Sequence, residues 1–531
     1  MVIAKGRQVK FYALFLAGGI AVVLGVLSPL PGRQGVNPKS SFAPEIPRTW
    51  DDQAMATLEV PLANPVGSPK HVPAEYYYRI PVRPIYKSYP VYAPGHEPPG
   101  YLDWLKRQDP QIVWDDKGHA PPLRNEGDWI KAGETVFDSD TLFVGEHGGL
   151  LTLSEVRDRE WYQQTGTPLT REGRVPFLHY VIRKKGDIEL GSFACGMCHT
   201  RVMTDGSILK GAQGSFAFDR AMTFVYSTDL ASQPGFAHFN EQQLYAAPWV
   251  RPDPLRFEQG MSSLQLAEVH AGIPPGVLSR HRSSPLCPPQ VPDLTGVKDR
   301  HYLDRTGLQQ HRGIGDLMRY AALNQGADDY ASYDGFVPAA ADFKTLPSPD
   351  KLDPEVAAND RYSDEQLYAL ALYVYSLKPP PNPNRFDAVA ARGQKVFSRE
   401  GCAACHTPPL YTNNKLTLAE GFTMPPGADK KYDIMPISVG TDPNLTLKTR
   451  RGTGYYKVPS LKGVWYRSMF GHSGWCATLE DWFDPRRTRD DYIPTGFKPY
   501  GTKTYAVKGH PFGLGLSAED KAALIAFLKT L

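Results

Sequence analysis

Apolar residues at helical spacing mark two segments of matching pattern, from Ser363 to Leu377 and from Ser517 to Leu531. In each, apolar positions recur every three or four residues, as in a helix with one buried face. Each opens on a serine followed three residues later by Gln366 or Asp520, a capping-box spacing in which side chains satisfy the first free amides. The two segments read as copies of one amphipathic helix. A different pattern stands at the N-terminus. There Lys5, Arg7 and Lys10 precede an uncharged apolar run from Phe11 to Leu30, closed by Pro31-Gly32. A run of ~20 such residues is enough to cross a bilayer, and the basic flank predicts export of everything after it. The expectation is an uncleaved anchor in the inner membrane, spanning residues 11–30. The alternative is a signal peptide cleaved after Ser28, giving a secreted protein, although Pro29 makes that a poor cleavage site.

The helical segments belong to a longer repeat. Gly133-Glu134-Thr135-Val136-Phe137 returns as Gly393-Gln394-Lys395-Val396-Phe397, at the end of a short helical pattern in both places. Cys195-Gly196-Met197-Cys198-His199 returns as Cys402-Ala403-Ala404-Cys405-His406, Pro292-Asp293-Leu294-Thr295-Gly296-Val297 as Pro459-Ser460-Leu461-Lys462-Gly463-Val464, and His311-Arg312-Gly313 as His472-Ser473-Gly474. Five landmarks in one order predict two copies of one domain. The expected division is an anchor at 1–32, a proline-studded arm at 33–125, a first domain at 126–378, a linker at 379–386 and a second domain at 387–531. The first copy carries an insertion of about fifty residues ahead of its cysteine motif, judged from landmark spacing. Proline fixes φ and removes an amide donor, so the arm is expected to be extended rather than regular helix or central strand. Tyr76, Tyr77, Tyr78, Tyr86, Tyr89 and Tyr92 are its candidates for packing against the first domain.

Composition narrows the class. A net charge of +3 on 531 residues, with basic residues scattered, gives no footprint for nucleic acid. The 48 glycines and 49 prolines predict long irregular connections. Of six cysteines, four fall in the two short motifs, which leaves Cys287 and Cys476 far apart, with a bridge between them open.

C-x-x-C-H is a haem-attachment motif. Cysteines at i and i+3 and histidine at i+4 share one face of a helical turn. The thiols form thioethers to the haem vinyl groups, and the imidazole becomes the proximal iron ligand. His199 and His406 are the expected proximal ligands, with Cys195, Cys198, Cys402 and Cys405 as attachment points. Structural zinc, the alternative, needs four ligands, and no second Cys/His pair lies nearby. The predicted fold class is mainly α: two cytochrome c-like haem domains with long irregular loops, plus the N-terminal transmembrane helix and the proline-rich arm.

The second repeat reads Tyr456-Lys457-Val458-Pro459-Ser460-Leu461-Lys462-Gly463-Val464, Phe470-Gly471-His472-Ser473-Gly474, Thr478-Leu479-Glu480 and Gly509-His510-Pro511-Phe512-Gly513. In these motifs the chain resembles the bacterial dihaem cytochrome c peroxidases and the related methylamine-utilisation dihaem enzymes. With its long N-terminal region and Trp482-Phe483-Asp484-Pro485, it is most similar to the rubber-oxygenase-like branch. The resemblance spans about residues 130–531, strong in the second repeat and thin in the first. It implies that His510 is the sixth ligand of the second haem, with Met424, Met435 and Met469 as alternatives, and that His472 lies near the haems, against a propionate or in a structural hydrogen bond. It implies that substrate reacts at the first haem, near His311, Arg312 and Gln310. Two departures weaken a peroxidase: the tryptophan expected at His311 is missing, and no glutamate stands between Glu268 and Glu355.

The expected activity is a periplasmic oxidoreductase in which a six-coordinate haem exchanges electrons with a second haem that reacts with hydrogen peroxide or dioxygen. A redox partner protein is the other expected contact, and a calcium ion is left open with no residue assigned. The alternative is a membrane-tethered dihaem electron carrier without its own substrate, as a subunit of a larger complex or alone.

Overall fold

Five helices of twelve or thirteen residues organise the described chain: α1 (Glu126–Phe137), α2 (Ile314–Gln325), α3 (Asp364–Ser376), α4 (Ala388–Arg399) and α5 (Ala518–Lys529). The computed structural model describes residues 42–63, 69–146, 151–227, 261–279, 285–325, 330–333, 360–449 and 452–531. The helix starts follow from their caps. Asn125 accepts the amide of Asp128, Asp387 those of Val389 and Ala390, and Ser363 and Gln366 form the full reciprocal box. At Ser517 the hydroxyl accepts the amide of Asp520.

The repeat is visible in how these helices cross. α1 meets α3 at Gly133, where a Cβ would lie 2.0 Å from the carbonyl oxygen of Ala369 and 2.8 Å from the Cβ of Tyr373. α4 meets α5 at Gly393 in the same way, 1.9 Å from the carbonyl of Ala523 and 2.7 Å from the Cβ of Phe527. Each partner contributes an alanine and, four residues on, an aromatic ring. Glycine is required because backbone touches backbone. Gly296 and Gly463 likewise match, at φ +71° and +73°, each opening a short 3-10 turn, Val297–Asp299 and Val464–Tyr466.

The expectation of a mainly α fold is corrected by the sheets. β1 (Ser88–Tyr92), β2 (Leu142–Val144), β3 (Arg174–Val181) and β4 (Glu189–Ser192) form an antiparallel sheet in the order β1-β3-β4-β2. A second sheet, β6-β5-β7, joins β5 (Leu416–Leu418), β6 (Ile434–Ser438) and β7 (Tyr455–Lys457). Four two-stranded pairs accompany them among the described residues. β3 reads Arg-Val-Pro-Phe-Leu-His-Tyr-Val and buries Val175, Phe177, Leu178, Tyr180 and Val181, side chains that fill a pleated surface. Three of the four strands in the first sheet lie in the insertion between Phe137 and Cys195.

The arm is more regular than its prolines predict. Pro90 sits in β1, an edge strand with a register shift after it, where a missing amide costs no ladder bond. Pro73 directly precedes the helix Ala74–Arg79, as the first turn of a helix tolerates. Tyr76, Tyr77 and Tyr89 are buried, and Tyr78, Tyr86 and Tyr92 are partly so. The arm also supplies Trp50, which is 0% exposed, stacks on Tyr77 at 4.5 Å and donates its Nε1–H to Val72 O at 2.7 Å. Trp50→Ala should cost about 3–5 kcal/mol of stability in denaturant unfolding. A loss under about 1 kcal/mol would show that the arm does not share the core's cooperativity.

The expected membrane-crossing helix gains no support. Among the described residues no helix is long and apolar enough to cross a membrane, and residues 11–30 lie outside them. Phe42–Leu531 forms one compact unit, in which the two copies interlock: Gln290 N donates to His472 O at 2.7 Å and Tyr466 Oη to Asp293 Oδ2 at 2.7 Å. Cys287 and Cys476 are buried and not bridged.

Candidate cofactor site

Each cysteine motif forms one tight turn. Cys195–His199 is a single helical turn, and Cys402–Ala404 is a 3-10 turn entered through Gly401 at φ +73°. The turn brings both sulfurs and the imidazole of each motif to one wall of a cavity. The wall with Cys195, Cys198 and His199 bounds a space of about 180 Å³, and that with Cys402, Cys405 and His406 one of about 250 Å³.

The histidines are oriented identically. His199 Nδ1 lies 3.0 Å from Pro292 O, and His406 Nδ1 lies 3.2 Å from Pro459 O and from Tyr411 O. A carbonyl only accepts, so each ring carries its proton on Nδ1 and its lone pair on Nε2. Metal-binding histidines are fixed in this way by a backbone acceptor behind them. Pro292 and Pro459 are matching landmarks of the repeat. Burial lowers the pKa of His406, keeping it neutral, the form a metal binds. It also raises the thiols of Cys402, to about 11, and Cys405, so neither is a resident thiolate nucleophile.

Across the larger cavity stands His510, its ring centre 6.3 Å from that of His406. Two imidazoles bound through nitrogen to opposite faces of one metal, at about 2 Å per bond, would hold their centres roughly 6 Å apart. Burial, followed by His406 and Arg487, pushes the pKa of His510 down to about 3. Its Nδ1 is buried with no hydrogen-bond partner, and its backbone sits at φ +46°, a strained conformation for a non-glycine residue. The segment is clamped by Arg487, itself 0% exposed. This side chain donates to Trp482 O (2.7 Å), Gly509 O (3.0 Å) and His510 O (2.8 Å), and also to Val507 O. None of Met424, Met435 and Met469 lines this cavity.

His472 lines the same cavity, stacked on Tyr456 at 4.3 Å, with its Nε2 3.2 Å from the tyrosine hydroxyl and its Nδ1 buried without a partner. Burial drives its pKa to about 3.

The smaller cavity is also lined by Leu317, Tyr320, Ala321 and Asn324 of α2 and by Leu370 and Val374 of α3. Among the described residues lining it, His199 is the one histidine, and there is no methionine. The three residues expected to act here lie elsewhere. His311 presents Nδ1–H to Arg300 O at 2.6 Å and accepts from Tyr375 Oη at 2.7 Å on Nε2, so both nitrogens are engaged. Arg312 forms a two-pronged pair with Asp316 at 2.7 and 2.9 Å, and Gln310 donates to Thr57 O at 2.7 Å. They line outer clefts and tie the arm to the start of α2. Residues not singled out in the sequence, Gln290 and Arg305, line both cavities. Arg305 and Arg487 carried no local signal, whereas Lys457 stands two residues before the repeated landmark at Pro459, in the segment that carries the family resemblance.

No protein-family model matches the chain, and no curated protein matches it. Among solved structures, hydrazine synthase of Kuenenia stuttgartiensis, pressurised with xenon, overlaps it with a TM-score of 0.27 and 16% identity, covering 55% of this chain and 86% of that one. A MauG-like protein associated with microbial copper homeostasis overlaps with a TM-score of 0.22 and 20% identity, covering 36% of this chain and 62% of that one. These overlaps assign no family and no activity.

Proposed function

We propose that the chain is a dihaem c-type oxidoreductase, active in an oxidising compartment outside the cytoplasm, with one closed and one open iron. The residues fit the group. Two thiols and a backbone-oriented imidazole line each cavity, and among the described residues no cluster of three or more His, Cys, Asp or Glu side chains suits a lone metal ion. Haem held there would supply one-electron chemistry, tuned by its axial ligands.

The observation that carries the reading is the asymmetry between the cavities. His406 and His510 face one another across the larger one at the spacing of two axial ligands. The smaller one has His199 as its one histidine and no methionine among the described lining residues. A haem held there by Cys195, Cys198 and His199 would be without a second described histidine or methionine ligand, and so would be able to react with a small oxidant, hydrogen peroxide or dioxygen. His406 and His510, the latter held by the Arg487 clamp, would hold the second group, which would supply electron storage for a redox partner.

Low-temperature EPR of the fully oxidised protein, with haem content measured on the same sample, tests this. One high-spin and one low-spin ferric signal of equal weight are expected. Two low-spin signals would replace the oxidoreductase with an electron carrier, and a protein without covalent haem would end both readings.

A further inference from the structure

Between the two cavities lies a knot of five cationic side chains that the axial-ligand argument does not use. Arg305 lines both cavities, Lys457 and Arg467 line the larger, and all three, with Arg300, line the narrow cleft bounded by Pro292 and Pro459. Arg201 reaches in from beyond His199 to Ser468 Oγ at 3.4 Å. The carboxylates on the same walls are Asp293 and Asp304. Asp293 is already shared, 3.2 Å from Arg467 Nε and accepting from Tyr466 at 2.7 Å.

The other partners are neutral. Arg305 donates to Gln290 O at 3.0 Å and Val291 O at 3.2 Å, Arg300 to Thr295 O at 2.8 Å and Arg467 to Ser460 O at 3.1 Å. The Lys457 ammonium makes no hydrogen bond or ion pair among the described residues. Carbonyl oxygens solvate a cation without neutralising it, and uncompensated charge in a low-dielectric seam is strongly unfavourable. The strain registers in the groups themselves. Burial and then the neighbouring cations push Arg305 down to about 9 and Lys457 well below its ordinary value, and burial lowers Arg300. Among the described residues the cluster has only Asp293 and Asp304 on its walls as counter-ions.

Each haem carries two propionate carboxylates, and the seam adjoins both cavities. We propose that the knot is the carboxylate seat for both haems, with Arg305 serving the two groups and Lys457 the second alone. This rests on the dihaem reading. Gln290, the other residue common to the two cavities, would lie beside both carboxylate seats.

The test uses the full holoprotein and its variants Arg305→Gln, Arg305→Lys and Lys457→Met, reading haem content, the midpoint potential of each haem, and the propionate bending bands in resonance Raman spectra. With haem content unchanged, Arg305→Gln should move both potentials negative and shift the propionate bands of both haems. Lys457→Met should do so for the six-coordinate haem alone, and Arg305→Lys should restore values close to the parent. Lys457→Met removes an unpaired charge, so folding is not the obstacle. Unchanged potentials and bands in fully loaded Arg305→Gln and Lys457→Met would overturn the proposal, as would shifts reproduced in the parent by adding or dialysing away inorganic phosphate, which would assign the knot to a free anion. Absence of haem from the parent would instead overturn the dihaem reading itself.

Discussion

His510→Ala should convert the low-spin ferric signal of the oxidised protein almost completely to high-spin while leaving both haems attached. The reasons are geometric. The ring centre of His510 lies 6.3 Å from that of His406, and in the proposed function Cys402 and Cys405, not His510, would carry the covalent link. Its ring is held in place at some cost: the backbone is left-handed at φ +46°, and a fully buried Arg487 spends its donors on carbonyls of residues 482, 507, 509 and 510. Strain that the surroundings over-determine is a mark of a functional position. Arg487→Met separates holding from ligating. It should broaden or split the low-spin signal rather than abolish it, because the imidazole remains but its segment loses the clamp. A low-spin signal that survives His510→Ala intact would mean that another residue is the sixth ligand.

The second large effect concerns folding. Gly393→Ala would drive a methyl group to 1.9 Å from the Ala523 carbonyl, with the Phe527 Cβ at 2.7 Å behind it. Overpacking normally costs about 1–3 kcal/mol by displacing side chains. Here the obstacle is the backbone of α5, so the helices must separate, and about 3 kcal/mol or more is expected in denaturant unfolding. Gly133→Ala should behave alike at the α1–α3 crossing. Gly515→Ala, where nothing lies within 4 Å, should leave stability unchanged. If Gly393→Ala and Gly515→Ala unfold at the same denaturant concentration, the close crossing is not what holds α4 to α5.

Much of this architecture is legible in local patterns. Ser363 and Gln366 announce their role because a cap depends on a few neighbours, whereas Gly133 and Gly393, and Pro292 and Pro459, stand out only as repeated landmarks until the fold shows the helix crossings and histidine acceptors they supply. The first sheet is not legible in that way. β3 has a strand-like composition, but its partner β1 comes from the arm, where Pro90 argues against a strand unless the edge position is known. His311, Arg312 and Gln310 mislead for a related reason. Their place after a repeated landmark is plain, but the direction of each side chain is set by Arg300 O, Tyr375, Asp316 and Thr57, which the sequence does not bring together. The cationic knot is the extreme case, since residues 201, 300, 305, 457 and 467 meet only through tertiary structure.

The way the arm is fastened has a consequence for the order of assembly. Thr49 N bonds to the Asp364 carboxylate across 315 positions, Tyr78 to the same group across 286, and residues 69–71 pair with 331–333. Contacts this distant along the chain close slowly, because loop entropy is lost before any contact rewards it. A nascent chain emerging N-terminus first can stack Trp50 on Tyr77 early, but Thr49 and Tyr78 wait for Asp364 of α3. The first cysteine motif, at 195–199, is thus on offer in an open chain well before its cavity can shut. The wall of that cavity supplied by Leu370 and Val374 arrives only with α3.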